Sequence, residues 1–381
     1  MSFEKEIAST NEYFFFKEFT YSKTTFRPQP GFEVELADNL VWLEDNLIVF
    51  QLKERAQSKR IDPQGEQTWY ENKVIRKATK QIRDTLRYIE DNAEIALVNH
   101  RGHAFHLKPH SIRNIHKLIV YLPHQQLSKD TQRRYYPSET AGIIHLMTYH
   151  DYSLAITTLI TPAEFLDYLA FREQTIREWK PEALILPEVA LIGYYLFGNI
   201  QERPTYNHSK YLESLQAETE TWDISNIIRV FSDRVTYQDY KHSQYPIIRE
   251  LAKLDRSSLQ KFKERFIASM QKSAANEFTL PFRMSVPATQ CGFVFLPLIK
   301  SHIDKRRDYL QNLTLAHKYE QRLGKCIGVS FSPSGDGWFD IEWAYNESSW
   351  EYNAEIEKLL NESYPFRKLK TNIVHRYHFI D

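Results

Sequence analysis

The sequence predicts an α/β protein in two parts, a mixed central sheet flanked by helices and then an α+β C-terminal domain. Three observations carry this. The stretch Phe32–Arg55 is dominated by Val, Ile, Leu, Phe and Trp and is broken by a short polar turn, which reads as successive strands. Trp69–Glu90 follows with apolar residues at helical spacing. Two more short apolar runs, Ile95–Val98 and Lys117–Leu122, then read as strands. With an early helix, the order opens as helix, three strands, helix, strand.

Composition narrows the class. A chain of 381 residues suggests two or three domains, and 42% hydrophobic residues can build a sizeable core. Lys plus Arg and Asp plus Glu both number 49, so no global basic field attracts nucleic acid, and any such contact must come from local patches. The only cysteines, Cys291 and Cys326, form no CxxC pair, which excludes a Cys-rich zinc site and fits a reducing cytoplasm. The start, MSFEKEIAST, is charged and has no signal-peptide core; no apolar run reaches membrane-spanning length. A cytoplasmic protein without a membrane partner is expected. There is no HExxH, Walker A, GxGxxG or serine-hydrolase elbow.

In chain order, Ser9–Phe19 reads as the first helix, with Ser9 or Thr10 as its cap. Pro28 to Gly31 breaks the chain before a strand over Phe32–Leu36, whose acidic face includes Glu35. A hairpin follows: Asp38–Leu43, a turn at Glu44-Asp45-Asn46, and Leu47–Lys53. The helix over Trp69–Glu90 buries Val74, Ala78, Ile82, Thr85 and Ile89. Its other side carries Lys73, Arg76, Lys77, Lys80, Arg83 and Arg87 as a basic stripe, and Gln81 lies nearer the apolar face. His100, His103, His106 and His110, then His116 and His124, have spacings that invite a zinc reading. No cysteine joins them, and exposed or satisfied histidines are the plainer expectation. Leu127–Pro137 reads as a loop, Gly142–Met147 as a strand, and Thr161–Arg172 and Glu182–Phe197 as helices. Residues 1–200 form the first domain (core about 9–125), 201–223 the linker and 224–381 an α+β accessory domain. The last is read as helices Ser257–Lys272, His302–Arg322 and Asn353–Asn361, a strand Phe293–Leu296 and a hairpin Cys326–Phe331/Trp338–Tyr345. No chemistry is assigned to it.

The hairpin does carry chemistry. If its loop is Glu44-Asp45, Asp38 lies opposite Gln51; if Asp45-Asn46, opposite Lys53. Gln51 and Lys53 are two apart and share a face, so both registers gather Asp38, Gln51 and Lys53, roughly 5 Å apart across the strands. An acid, an amide and an ammonium on an apolar hairpin are costly to bury without a purpose. Asp38 is a hard ligand for Mg²⁺, and the Gln51 amide and Leu52 backbone carbonyls can complete the protein's share of the shell. Lys53 can orient or deprotonate a water and offset phosphate charge.

Asp38 followed by Gln51-Leu52-Lys53 resembles the PD-(D/E)xK nuclease signature, in the Asp…Gln-x-Lys variant of the Mrr-like restriction endonucleases. Ala37 stands where that signature has proline. The resemblance covers roughly the first third of the chain. It implies a restriction-endonuclease-like core and an endonuclease that hydrolyses DNA with Mg²⁺ or Mn²⁺, in restriction or defence against foreign DNA. A homodimer or a partner protein is implied as well. Metal ligands would be Asp38, Gln51 and the Leu52 carbonyl, with Glu12, Glu18 or Glu35 as a further acid. Lys73, Lys77, Lys80, Gln81 and Arg83 would face DNA. Gln51 in place of an acid removes one negative charge, which leaves a non-catalytic nucleic-acid-binding or scaffold protein on a degenerate nuclease fold as the rival. The same hairpin also suits a nuclease acting on RNA.

Overall fold

A computed structural model describes residues 2–22, 25–29, 32–55, 62–199, 201–212, 244–335 and 338–368. The chain divides into two compact units after Thr219.

The first unit is built on a six-stranded mixed sheet. Its strands are β1 (Thr20–Ser22), β4 (Asn39–Leu43), β5 (Asn46–Glu54), β8 (Asn114–Leu122), β9 (Tyr135–Ser138) and β10 (Gly142–Thr148), in the order β1-β4-β5-β8-β10-β9. β1, β4 and β5 are antiparallel neighbours; β5, β8 and β10 run parallel; β9 is an antiparallel edge. Interior parallel strands are covered on both faces, so β5 and β8 are near-continuous apolar runs. Alternation still decides which side each residue serves. Ile48, Phe50 and Leu52 enter one core, Leu47 and Val49 the other.

Helices fill both sides. The first core receives α1 (Phe3–Phe15), α4 (Tyr149–Thr158), α5 (Pro162–Glu178) and α7 (Glu188–Phe197). α1 begins at Phe3, not Ser9, because Phe3, Ile7, Phe14 and Phe15 bury one stripe; Ser9 and Thr10 lie inside it rather than at its cap. The second core is covered by a helix running from Pro63 to Asp91: α2 (Pro63–Trp69), a π-helical stretch Tyr70–Ala78, and α3 (Thr79–Asp91). Asp62 caps it by accepting from the Gly65 N–H at 2.7 Å. The wide π spiral turns Val74 and Ile75 inward together, and leaves the basic stripe exposed.

Several elements differ from the sequence reading. The strand over Phe32–Leu36 is β3 (Phe32–Glu35), which pairs with β2 (Thr25–Gln29) in a separate two-stranded sheet. Ile95–Val98 is β6, paired with β7 (Ala104–Leu107) outside the central sheet. Strand character is local, but sheet membership depends on distant partners. The third strand of the meander is β1, just past the expected end of the first helix at Phe19, where no strand was expected. Residues 127–137 contain a 3₁₀ turn and edge strand β9 rather than a plain loop. Pro187 splits the helix expected over Glu182–Phe197 into α6 (Lys180–Ile185) and α7. Of the expected linker 201–223, residues 213–223 lie outside the described residues. Within 206–211, a 3₁₀ helix lies against α7 at Gly193, where a Cβ would fall 2.0 Å from the His208 carbonyl oxygen.

A polar network is buried beneath β10. The Arg172 guanidinium donates to Glu188 through Nε at 2.8 Å and Nη2 at 3.1 Å, and its Nη1 lies 3.0 Å from His145 Nδ1. Tyr168 and Arg134 also donate to Glu188, and Arg134 reaches Asp151 at 2.9 Å. Facing a guanidinium, His145 is neutral. Burial, with the nearby charge of Arg172, holds it well below its ordinary range; burial and Lys117 likewise push His116 down to about 4. Both bind fewer protons folded than unfolded, so stability falls as pH drops below the unfolded value of about 6.5. Urea midpoints are expected to decline already between pH 6.5 and 5, above the carboxylate range, and a flat profile there would contradict this.

The second unit contains α8 (Tyr245–Ala252), α9 (Arg256–Ala274), β11 (Phe282–Val286), β12 (Cys291–Pro297), α10 (Arg306–Glu320), β13 (Lys325–Gly335), β14 (Trp338–Glu347) and α11 (Ala354–Glu362). Its sheet runs β11-β12-β13-β14, with β12 and β13 parallel and both outer pairs antiparallel. Phe262 and Phe266 of α9 pack on Phe293, Phe295 and Phe331; on the other face Leu310 of α10 meets Leu296 and Leu298. Cys291 and Cys326 are buried and free.

Candidate active site

The hairpin β4–β5 turns at Glu44-Asp45, since Leu43 pairs with Asn46. Glu44 takes a left-handed conformation (φ 55), as the first loop residue of such a turn requires. Asn39 pairs with Phe50, so Asp38, just before β4, stands across from Gln51. The Asp38 carboxylate is fixed there: its Oδ2 accepts from the Leu52 N–H at 2.5 Å. Its neighbour Asn39 is clamped as well, accepting from Asn11 of α1 at 2.8 Å and donating to Ser22 at 2.6 Å. Tyr152 of α4 holds Asn11 from behind.

Lys53 brings the group together. Its Nζ donates to the Leu52 carbonyl at 2.8 Å, to Gln51 Oε1 at 3.2 Å and to Asp38 Oδ2 at 3.4 Å. An amide oxygen, a backbone carbonyl and a carboxylate thus converge on one cationic point. Gln51 is 2% exposed. Burial lowers the Lys53 pKa from its ordinary value, opposed by Asp38; Lys77 lowers it further and Glu4 raises it.

Glu4 is thus the α1 acid whose charge raises the Lys53 pKa. A helix starting at Ser9 excludes Glu4; the apolar spacing Phe3, Ile7, Phe14 is the signal that extends the helix to it. The expected acids are placed otherwise. Glu12 Oε1 lies 2.6 Å from His100 Nδ1, and the buried Glu18 pairs with Arg101 at 2.9 Å. Glu35 is exposed on β3.

On the long helix Lys73, Lys77, Lys80 and Arg83 are all exposed. Lys80 pairs with Asp84 at 3.1 Å, and Asp84 also takes Arg87 at 3.2 Å. Gln81 sits one turn from Lys77 and one turn from Thr85, whose hydroxyl donates to the Leu36 carbonyl. Its Oε1 is buried without a hydrogen-bond partner. The histidines do not converge: His106 lies 3.1 Å from Glu94, and His116 is buried in the sheet. Among the described residues, no three His, Cys, Asp or Glu side chains are grouped to hold a metal ion.

The hairpin oxygens nevertheless suit a hard cation. They already ligate an ammonium, and carboxylate, amide and backbone carbonyl oxygens are the donors Mg²⁺ and Mn²⁺ accept. With one carboxylate in the set, most of the remaining shell would be water. No family model, curated protein or solved structure matches this chain.

Proposed function

We propose that the first unit is a metal-dependent nuclease of the PD-(D/E)xK type, in the Mrr-like glutamine form, which hydrolyses DNA phosphodiester bonds in restriction or defence against foreign DNA. The observation that carries this is the convergence of Asp38 Oδ2, Gln51 Oε1 and the Leu52 carbonyl on one cationic point. It stands at the end of a hairpin that leads through a helix into a parallel strand, the succession expected of a restriction-endonuclease-like core.

Asp38, Gln51 and the Leu52 carbonyl would hold Mg²⁺ or Mn²⁺, which when bound polarises a phosphoryl oxygen and lowers the pKa of water. The Leu52 N–H keeps the carboxylate aimed. Lys53, with its lowered pKa, is suited to exchange a proton with the attacking water and to offset charge on the phosphate. The exposed stripe Lys73, Lys77, Lys80 and Arg83 would neutralise backbone phosphates, and Gln81 offers a buried acceptor on the same helix. Charge reversal at Lys77 and Lys80 is expected to weaken DNA binding and flatten its salt dependence by about two phosphate contacts; an unchanged salt slope would make the stripe a solvated face.

The test is cleavage of plasmid, linear DNA and RNA with Mg²⁺, Mn²⁺ or chelator, beside Lys53→Ala. Metal-dependent cutting lost in the variant supports the reading, and the substrate cut decides between DNA and RNA. The lone carboxylate of the site favours one rival, a binding protein on a decayed nuclease fold. Nucleic-acid binding without cutting, unaffected by Lys53→Ala, would establish it.

A further inference from the structure

We infer that Lys53 is the resident counter-cation of this site, and that a divalent metal binds by displacing its ammonium from the three oxygens. This rests on the metal-dependent reading above. All three proposed ligands are already engaged by Nζ, at 2.8, 3.2 and 3.4 Å. The Asp38 and Lys53 side chains are 11% and 13% exposed, and Lys53 is the only ion-pair partner of Asp38 among the described residues. A carboxylate at that depth is costly to fold without a compensating charge. An ammonium and a divalent ion cannot share these oxygens, because two like charges at such separation in a partly desolvated site repel strongly. The long lysine stem lets the ammonium leave while the strand stays in place.

Metal affinity is then a difference, the gain of the ion less the loss of the ammonium. Removing the ammonium should tighten metal binding even as it removes a group proposed for the chemistry. A lysine that only assisted the chemistry would leave affinity unchanged.

The experiment measures Mn²⁺ binding to the full chain by calorimetry, with melting temperatures in chelator and in Mn²⁺. Wild type, Lys53→Met, Lys53→Gln and Asp38→Asn are compared. Both lysine variants are expected to bind Mn²⁺ about tenfold more tightly or better, the scale of one charge-assisted hydrogen bond. They should melt below wild type in chelator and gain more from Mn²⁺. If Lys53→Met does not fold, Lys53→Gln decides. Equal or weaker affinity in the lysine variants, with binding lost in Asp38→Asn, overturns displacement and leaves the metal site standing. No Mn²⁺ binding in wild type or in either lysine variant overturns the metal reading and this inference together.

Discussion

Asp38→Asn is expected to lower metal-dependent cleavage by about a thousandfold or more, the scale on which a lost electrostatic contact to the transition state is felt. The substitution is nearly isosteric, and an amide oxygen can still accept from the Leu52 N–H, so the hairpin should keep its register. What disappears is the only negative charge among the three convergent oxygens. With Glu12 engaged by His100 and Glu18 by Arg101, neither stands ready to replace it. The measurement is a single-turnover rate in Mg²⁺ and in Mn²⁺, with circular dichroism to confirm folding. A folded Asp38→Asn protein that cuts at the wild-type rate would remove the hairpin from the chemistry.

Arg172→Met should produce the largest loss of stability. Arg172 is 1% exposed and Glu188 fully buried. Burial alone would raise the Glu188 pKa, but Arg172 and Arg134 hold it below its ordinary value. Breaking a buried pair strands the surviving charge, at about 3–5 kcal/mol. For a unit of this size, that lowers the melting temperature by on the order of 10 °C. The double variant Arg172→Met/Glu188→Leu should recover much of this, since paired hydrophobes often replace a buried ion pair at little cost. A double variant as unstable as the sum of the singles would show that the pair contributes through packing alone. Cleavage measured below the melting transition should be spared, because Arg172 bonds to Glu188, His145 and the Leu146 carbonyl and not, among the described residues, to Asp38 or Lys53.

Much of the hairpin was legible because strand geometry is strict. Period two puts Gln51 and Lys53 on one face whatever the partner, and either turn brings Asp38 beside them. Only the choice of register needed the structure, where the left-handed Glu44 selects the Glu44-Asp45 loop. The long basic helix was legible for a similar reason, its apolar spacing being regular. What failed was non-local. Ser9 and Thr10 are good caps, but burial of Phe3 and Ile7 outweighs a cap's contribution of about 1 kcal/mol, so the helix starts earlier and includes Glu4, whose charge raises the Lys53 pKa. Ile95–Val98 has the composition of a core strand, yet it pairs with β7 in a two-stranded sheet apart from the central one. The Arg172–Glu188–His145 network left no mark in the sequence, because its members come from three separate elements.

The second unit repeats a succession already met in the first. β11 and β12 form an antiparallel hairpin, α10 crosses over, and β13 returns parallel to β12, as β4, β5, the long helix and β8 do. Counting along its register, Phe282 pairs with Phe295, so Pro281 falls where Asp38 stands and Leu296 where Gln51 stands, with Leu298 in the place of Lys53. Leu296 and Leu298 close on Leu310 of α10. One half of the polypeptide therefore seals with hydrocarbon the corner that the other half furnishes with charge. Among the described residues there is one such corner per chain, and a duplex has two strands. Under the proposed activity, a nicked circle should precede a linear product unless two chains meet on the same stretch of DNA.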